Sequence, residues 1–194
     1  MTLIFLSCQQ TSSSDTKSHN DSSEIKEFEL TEIKLTETKF GDLELDKLKE
    51  SNIPTEIQSK FPDFQVVKKV GQQDGPDYNY YEVTHSGQEI FFISMDSYDT
   101  SLVQDLWTDN RLIKDEYGIK VGQKIETALE KRPTLKFHSD LHYNIYATDI
   151  NSKIEYRLTG DFKPLSDTAF VTKDYLVEKW QTVGMTIEYL IWRK

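Results

Sequence analysis

Two runs rich in aromatic and β-branched residues, Tyr78 to Thr84 and Gln88 to Met95, are separated only by His85-Ser86-Gly87. A connection that short permits an antiparallel hairpin and excludes a parallel crossover, which needs a dozen or more residues. The same grammar recurs along the chain. Phe64 to Val70, Leu102 to Trp107, Leu135 to His138, Tyr143 to Thr148 and Lys153 to Leu158 read as strands. Turn signals punctuate them at Gly71 to Asp77, Ser139-Asp140 and Asn151-Ser152. Tyr175 to Thr182 and Thr186 to Trp192 read as a last strand pair around Gly184, and Phe162 to Phe170, with Pro164, reads as irregular. Near the start, Phe28 to Leu35 alternates apolar and polar residues and predicts a strand with one dry face. Phe40-Gly41-Asp42-Leu43-Glu44-Leu45 predicts a second short strand or turn-strand.

Two helices interrupt this pattern. Ile53, Ile57 and Phe61 recur at i, i+4, i+8 behind Pro54, a favoured first-turn residue, and Pro62 stops the helix. Tyr117 to Gly122 reads as a short strand-like lead-in to a helix near Ile125 to Lys131, closed by Pro133. The expected fold is therefore α+β: a mostly antiparallel sheet with two short helices, forming one domain over 25–194. The 10 Tyr and 10 Phe among 194 residues are enough to build its core. Phe40-Gly41 and Tyr117-Gly118 each precede a helix that stops at a proline. Tyr78-Asn79-x-Tyr81 and Tyr143-Asn144-x-Tyr146 follow at similar distances. This order is compatible with two related β-α-β-β-β units. Aromatic-Gly pairs also recur by chance in an aromatic-rich β protein, and both readings stay open.

The first eight residues bear on location. Met1 to Cys8 is apolar but too short to span a bilayer, which needs about 20 residues. Phe5-Leu6-Ser7-Cys8 resembles the lipobox of bacterial lipoproteins, in which the Cys is acylated and becomes the mature N-terminus. Two departures are the Phe three positions before Cys8 and the missing Lys or Arg. The second leads us to expect a truncated signal that begins upstream. Gln9 to Glu24 contains no aliphatic or aromatic residue, so it reads as a disordered polar tether. Apolar stub, small residue, lone Cys and tether make a coherent order for a lipid-anchored domain with Cys8 as the lipidation site. The competing reading is a frayed cytosolic terminus. By analogy with enterobacterial sorting, Gln9 rather than Asp after the Cys favours the outer membrane, facing the periplasm.

Composition narrows the chemistry. Lys+Arg 23 against Asp+Glu 33 gives a net charge of −10, which argues against nucleic acid as the main partner. A single Cys excludes an intramolecular disulfide and a Cys-rich zinc site. No Gly-rich phosphate loop, His-Glu-x-x-His or Gly-x-Ser-x-Gly motif occurs, so no cofactor and no catalytic residue is assigned. His138-Ser-Asp-Leu-His142 has the i, i+4 spacing of a metal pair, with Asp140 as a further oxygen ligand, but its flanks read as strand and a solvated turn explains it as well. Asp74-Gly-Pro-Asp77-Tyr-Asn79 carries oxygens for calcium and also the residues of a plain turn. Asp96, Asp99, Asp105, Asp109, Asp115 and Glu116 offer carboxylates for glycoside hydrolysis, against a solvated acidic face. Tyr78, Tyr80 and Tyr81, beside Phe91-Phe92, are candidate partner-binding residues; strand alternation puts Tyr78 and Tyr80 on one face and Tyr81 on the other.

Two stretches carry a family resemblance. Phe40-Gly-Asp-Leu-Glu-Leu45 with Phe61-Pro62-x-Phe64-Gln-Val66, and Asp115-x-Tyr117-Gly118-Ile-Lys-Val121-Gly122, resemble the domain of unknown function in the RpoE-regulated lipoproteins of enterobacteria. That resemblance implies an envelope lipoprotein fold of about this size and supplies no catalytic residues. Val121-Gly122-x5-Ala128-Leu129-x2-Arg132-Pro133 is similar to the Gly-to-Pro helix lead-in of the SmpA and β-lactamase-inhibitor-like modules, which bind proteins. The function expected is a non-catalytic, lipid-anchored envelope protein that binds a protein or cell-wall partner. The rivals are a metal-assisted hydrolase using His138 and His142, and a small-ligand carrier with a Tyr-lined pocket.

Overall fold

The hairpin at Ser86-Gly87 closes as its brevity demands. Ser86 and Gly87 have φ of 53° and 78°, both positive, the mirror-image turn whose twist suits a two-residue β-hairpin. The computed structural model describes residues 30–72, 77–140, 142–162 and 175–194. Cys8 and its apolar stub, the 9–24 tether, Asp74 with its neighbours in the Gly71 to Asp77 turn, and most of Phe162 to Phe170 lie outside the described residues.

The chain runs β1 (Lys34–Leu35), β2 (Lys39–Phe40), β3 (Leu43–Glu44), α1 (Ile53–Lys60), β4 (Phe64–Gly71), β5 (Tyr78–His85), β6 (Gln88–Met95), β7 (Val103–Thr108) and β8 (Lys114–Asp115). It continues through α2 (Ile125–Lys131), β9 (Lys136–Ser139), β10 (Ile145–Thr148), β11 (Ile154–Thr159), β12 (Tyr175–Val177) and β13 (Thr186–Arg193). Among the described residues there are two sheets. One is a small four-stranded sheet of order β3-β2-β1-β8. The other is a nine-stranded antiparallel sheet of order β12-β9-β10-β11-β13-β7-β6-β5-β4. The fold is α+β and mostly antiparallel, as expected; β1 and β8 form a parallel pair. No helix among the described residues is long and apolar enough to cross a membrane.

Strand alternation gives the large sheet two unlike faces. On one face, Phe137, Ala147, Tyr156 and Leu190 follow one another across β9, β10, β11 and β13, and Tyr81, Ile93, Leu106 and Trp192 across β5, β6, β7 and β13. All are buried in the core. Helix α1 packs here through Ile53 and Ile57, both fully buried, each worth about 1.5–3 kcal/mol. Past its end, Phe61 stacks on Phe64 at 4.9 Å, and Phe40 meets Phe91 at 4.5 Å. Gly41 explains its own place after Phe40: its φ is 56°, and a Cβ there would sit 3.1 Å from Phe61 Cζ.

Three expectations are corrected. Phe28 to Leu35 is not one strand. Residues 30–32 make a helical turn that sends Leu30 and Ile33 into the core together, and only Lys34–Leu35 pair as β1. Tyr117 to Gly122 is a turn rather than a strand, because Gly118 has φ 72° and the Asp115 carboxylate accepts the backbone N–H of Tyr117 and Ile119. Tyr175 to Thr182 and Thr186 to Trp192 do not pair with each other. β12 pairs with β9 and stops at Val177, where Glu178 and Gln181 form a capping box for a 3-10 turn over Lys179–Thr182; β13 pairs with β11 and β7. The matched Tyr81 and Tyr146 of the two half-chains point to opposite faces of the sheet.

A polar network crosses the core. Tyr156, fully buried, donates to Asp115 Oδ2 at 2.5 Å and accepts from Arg132 Nη1 at 2.8 Å. Arg132, just past α2, also donates Nε to Asp149 Oδ2 at 3.0 Å and lies 4.4 Å over the Tyr117 ring. Burial and then the Asp115 charge push the Tyr156 phenol far above its ordinary value, so it stays a donor. Tyr156→Phe should lower stability by about 1–3 kcal/mol, since it leaves a buried carboxylate and guanidinium each short of a partner. An unchanged urea midpoint would refute this role for the hydroxyl.

Candidate functional site

The other face of the large sheet is where chemistry-bearing residues converge. Its registers read His138, Tyr146, Arg157 and Tyr189 across β9, β10, β11 and β13. The next row reads Glu155, Ile191, Trp107 and Phe92 across β11, β13, β7 and β6. A third reads Arg193, Asp105, Ser94 and Tyr80 across β13, β7, β6 and β5. Tyr78 and Tyr146 lie on strands five steps apart in the sheet, about 24 Å along a flat one. Both nonetheless line one cleft of about 480 Å³ together with Trp107, Tyr189, Arg157 and Arg193, so the sheet curls around it. That volume is in the range of small-molecule sites.

The aromatic walls are braced. Trp107 stacks on Phe92 at 4.1 Å and 15°, and meets Tyr189 edge-on at 5.3 Å. Tyr80 packs between Tyr78, at 6.1 Å, and Phe92, at 6.3 Å. Tyr146 stacks on His138 at 5.3 Å and donates its hydroxyl to Asp140 Oδ2 at 3.1 Å. Burial, then the Asp140 charge, pushes the Tyr146 phenol up to about 12. Burial opposes the charge of Asp140 itself. Hydrogen bonds from the Asn144 side chain and backbone, the His142 backbone and Tyr146 outweigh it and hold the carboxyl below its ordinary value.

Charged groups form the floor. Arg193 donates Nε to Asp105 Oδ1 at 2.9 Å, and its Nη1 lies 3.4 Å from Glu155 Oε2. Glu155 is the unusual member. Its side chain is 8% exposed, and its Oε1 has no hydrogen-bond partner among the described residues, with His138 Nε2 no nearer than 3.7 Å. Burial pushes its pKa up to about 7 in spite of Arg193, and the Asp105 and Asp140 charges add to the rise. Burial likewise raises Asp105, opposed by Arg193.

The residues singled out from sequence fare differently. Tyr78 and Tyr80 stand on the cleft face, Tyr78 in the lining, whereas Tyr81 is 5% exposed in the core and leaves the candidate set. His138 and His142 do not face each other across the ladder. His138 pairs with Tyr146, and His142 sits exposed in the β9–β10 turn, with Asp140 taken up as that turn's acceptor. Among the described residues no three His, Cys, Asp or Glu side chains gather as a metal site would need. Asp96 and Asp99 cap turn N–H groups and Asp115 belongs to the core network; Asp105 alone of that acidic series lines the cleft. Trp107, Tyr146, Glu155, Arg157, Tyr189 and Arg193 were not anticipated. For Glu155, Arg157, Tyr189 and Arg193 the signal was present as polar or aromatic residues at alternate positions of β11 and β13, opposite the apolar Ile154, Tyr156, Leu158, Leu190 and Trp192; Trp107 on β7 and Tyr146 on β10 likewise alternate with the buried Leu106 and Ala147.

The architecture has a relative among solved structures. It is similar to the crystal structure of the uncharacterized protein YfeY from Escherichia coli, with a TM-score of 0.55 and 13% identity, over 83% of this chain and 99% of that one. At that identity the likeness concerns the fold alone. No protein-family model matches the sequence, and comparison with curated proteins finds no match.

Glu155 makes stability depend on pH. The folded chain keeps its proton up to about pH 7, while an unfolded chain releases it near the ordinary 4.5. The fold therefore binds an extra proton between these values, and stability present at acid pH is lost as pH rises through that window, by on the order of 3 kcal/mol. Glu155→Gln should flatten the urea-midpoint profile between pH 5 and 7 and leave the variant the more stable protein above pH 7. A parallel profile for the two proteins would refute the assignment.

Proposed function

We propose that this chain is a lipid-anchored protein of the bacterial cell envelope, non-catalytic, whose folded domain holds a protein or cell-wall partner in the curled face of its large sheet. The observation that carries the binding role is the braced aromatic cleft itself: Tyr78, Trp107, Tyr146 and Tyr189 with Arg157 and Arg193. Tyr, Trp and Arg are the residues that dominate recognition surfaces, because they give large rigid contact and directed donors at low entropic cost. Binding is favoured over hydrolysis because Glu155, the carboxyl best tuned for proton transfer, is too buried to touch a substrate.

The anchor rests on the order of apolar stub, Ser7, Cys8 and polar tether. Acylation of Cys8 with more than one chain would hold the domain stably at a membrane, and Gln9 supports the outer membrane, facing the periplasm. A fold shared with an enterobacterial protein agrees with membership of the RpoE-regulated lipoproteins, which we propose on the motifs quoted above. The order of helix then meander occurs twice, α1 before β4–β6 and α2 before β9–β11, which supports reading the halves as related units. The cleft volume favours, as a second reading, a carrier of a small ligand against the Tyr78 wall.

In native cells the protein should fractionate with the outer membrane and yield an N-terminal peptide that begins at acylated Cys8. Cys8→Ser should release it from the membrane. An unmodified chain in the cytosol would overturn the proposal.

A further inference from the structure

The chemistry of the cleft narrows what it holds, on the reading that this face binds a partner. Three features bear on it. First, the Arg157 side chain stands half-exposed in the cleft lining. Its Nε has no hydrogen-bond partner among the described residues, and Glu188 Oε2 lies 3.2 Å away without hydrogen-bond alignment. A guanidinium carries five N–H donors in a rigid fork that fits a carboxylate two-pronged. The guanidinium lies 5.4 Å over the Tyr189 ring. Second, Arg193 also stands in the lining, its guanidinium shared between Asp105 and the buried Glu155, so a second cation faces the cleft beside Arg157. Third, the walls are flat rings interrupted by hydroxyl and amide groups, Ser94, Ser97 and Gln104. Flat rings accept the C–H faces of a sugar, and the interspersed polar groups meet its hydroxyls, whereas a lipid would need an unbroken apolar lining.

We propose that the cleft binds a short carboxylate-bearing sugar chain, with Arg157 receiving the carboxylate and Trp107 and Tyr189 stacking against the sugar rings. A chain rather than a single sugar suits the site, because the lining continues across the strands from Tyr146 to Tyr78. Arg193 stands at the other end of the Tyr189–Arg193 stretch, four residues or about 13 Å along β13, where it can meet a second ring. Its Nε is already given to Asp105, so it orients more than it attracts.

The test is titration of the full chain with tetragalacturonate, which has a carboxylate on every ring, and with N-acetylchitotetraose, which has none. Intrinsic tryptophan fluorescence and calorimetry supply the readouts, and inorganic phosphate serves as a competitor. Tetragalacturonate should bind at least about tenfold more tightly than the neutral oligosaccharide and should weaken with salt. Arg157→Gln should cost at least about tenfold in affinity. Trp107→Phe should lose most of the fluorescence change, while Trp180→Phe, on the 3-10 turn outside the cleft, should leave binding as it was. Equal binding of both oligosaccharides would overturn the carboxylate assignment, and phosphate binding as tight as tetragalacturonate would do the same. No binding of either sugar, with a photo-crosslinker at position 107 joining the chain to one defined envelope protein, would overturn the sugar proposal and leave partner binding standing. No sugar binding and no crosslink at all would overturn both.

Discussion

The Arg132 guanidinium, buried with only 3% of its side chain exposed, ties the end of α2 to the β10–β11 hairpin and, through Tyr156, to β8 of the small sheet. It reaches Tyr156 on β11, Asp149 in the β10–β11 turn and, through Tyr156, Asp115 at the end of β8, where the chain turns toward α2. Removing such a charge from water costs several kcal/mol, recovered only when its donors and neighbouring acceptors are satisfied together. The network therefore holds in one arrangement or fails as a unit. Asp115 also accepts two backbone N–H groups, so the turn at Gly118, the end of α2 and the middle of the large sheet share one set of hydrogen bonds. The Asp115-x-Tyr117-Gly118 motif and the Arg132-Pro133 helix end, which look like separate family signatures in the sequence, are two sides of this contact.

With the core face locked in this way, the opposite face is free to carry groups that a two-sided core would exclude. Its rows of Tyr, Trp and Arg are half-buried by the curl of the sheet and by their own stacking rather than by a second layer among the described residues. Partial burial is also what tunes the carboxyls. Glu155 and Asp105 both lean on Arg193, yet both rise above their ordinary values because lost hydration outweighs one shared cation.

Legibility tracked how local the cause was. The Ser86-Gly87 hairpin, α1 behind Pro54 and the turns at Asp140 and Asn151 followed from residue type and spacing, because a positive φ or a missing N–H acts within a few residues. Misreadings arose where a side chain outbid the backbone pattern. Phe28 to Leu35 alternates convincingly, but Leu30 and Ile33 reach the core by a helical turn. The acidic series looked uniform, yet Asp115 is core, Asp96 and Asp99 are caps and Asp105 is cleft, and only their tertiary neighbours distinguish them.

By itself the sequence determined an antiparallel, aromatic-rich sheet with two short helices, and it determined that Tyr78 and Tyr80 share a face opposite Tyr81, since side chains alternate along any strand. Which face became core, that β13 rather than β12 joins β11 to β7, and that residues from Tyr78 to Arg193 close around one cleft were decided only in the folded chain. Strand order and sheet curl arise from the packing of segments far apart along the polymer, and no local pattern encodes them.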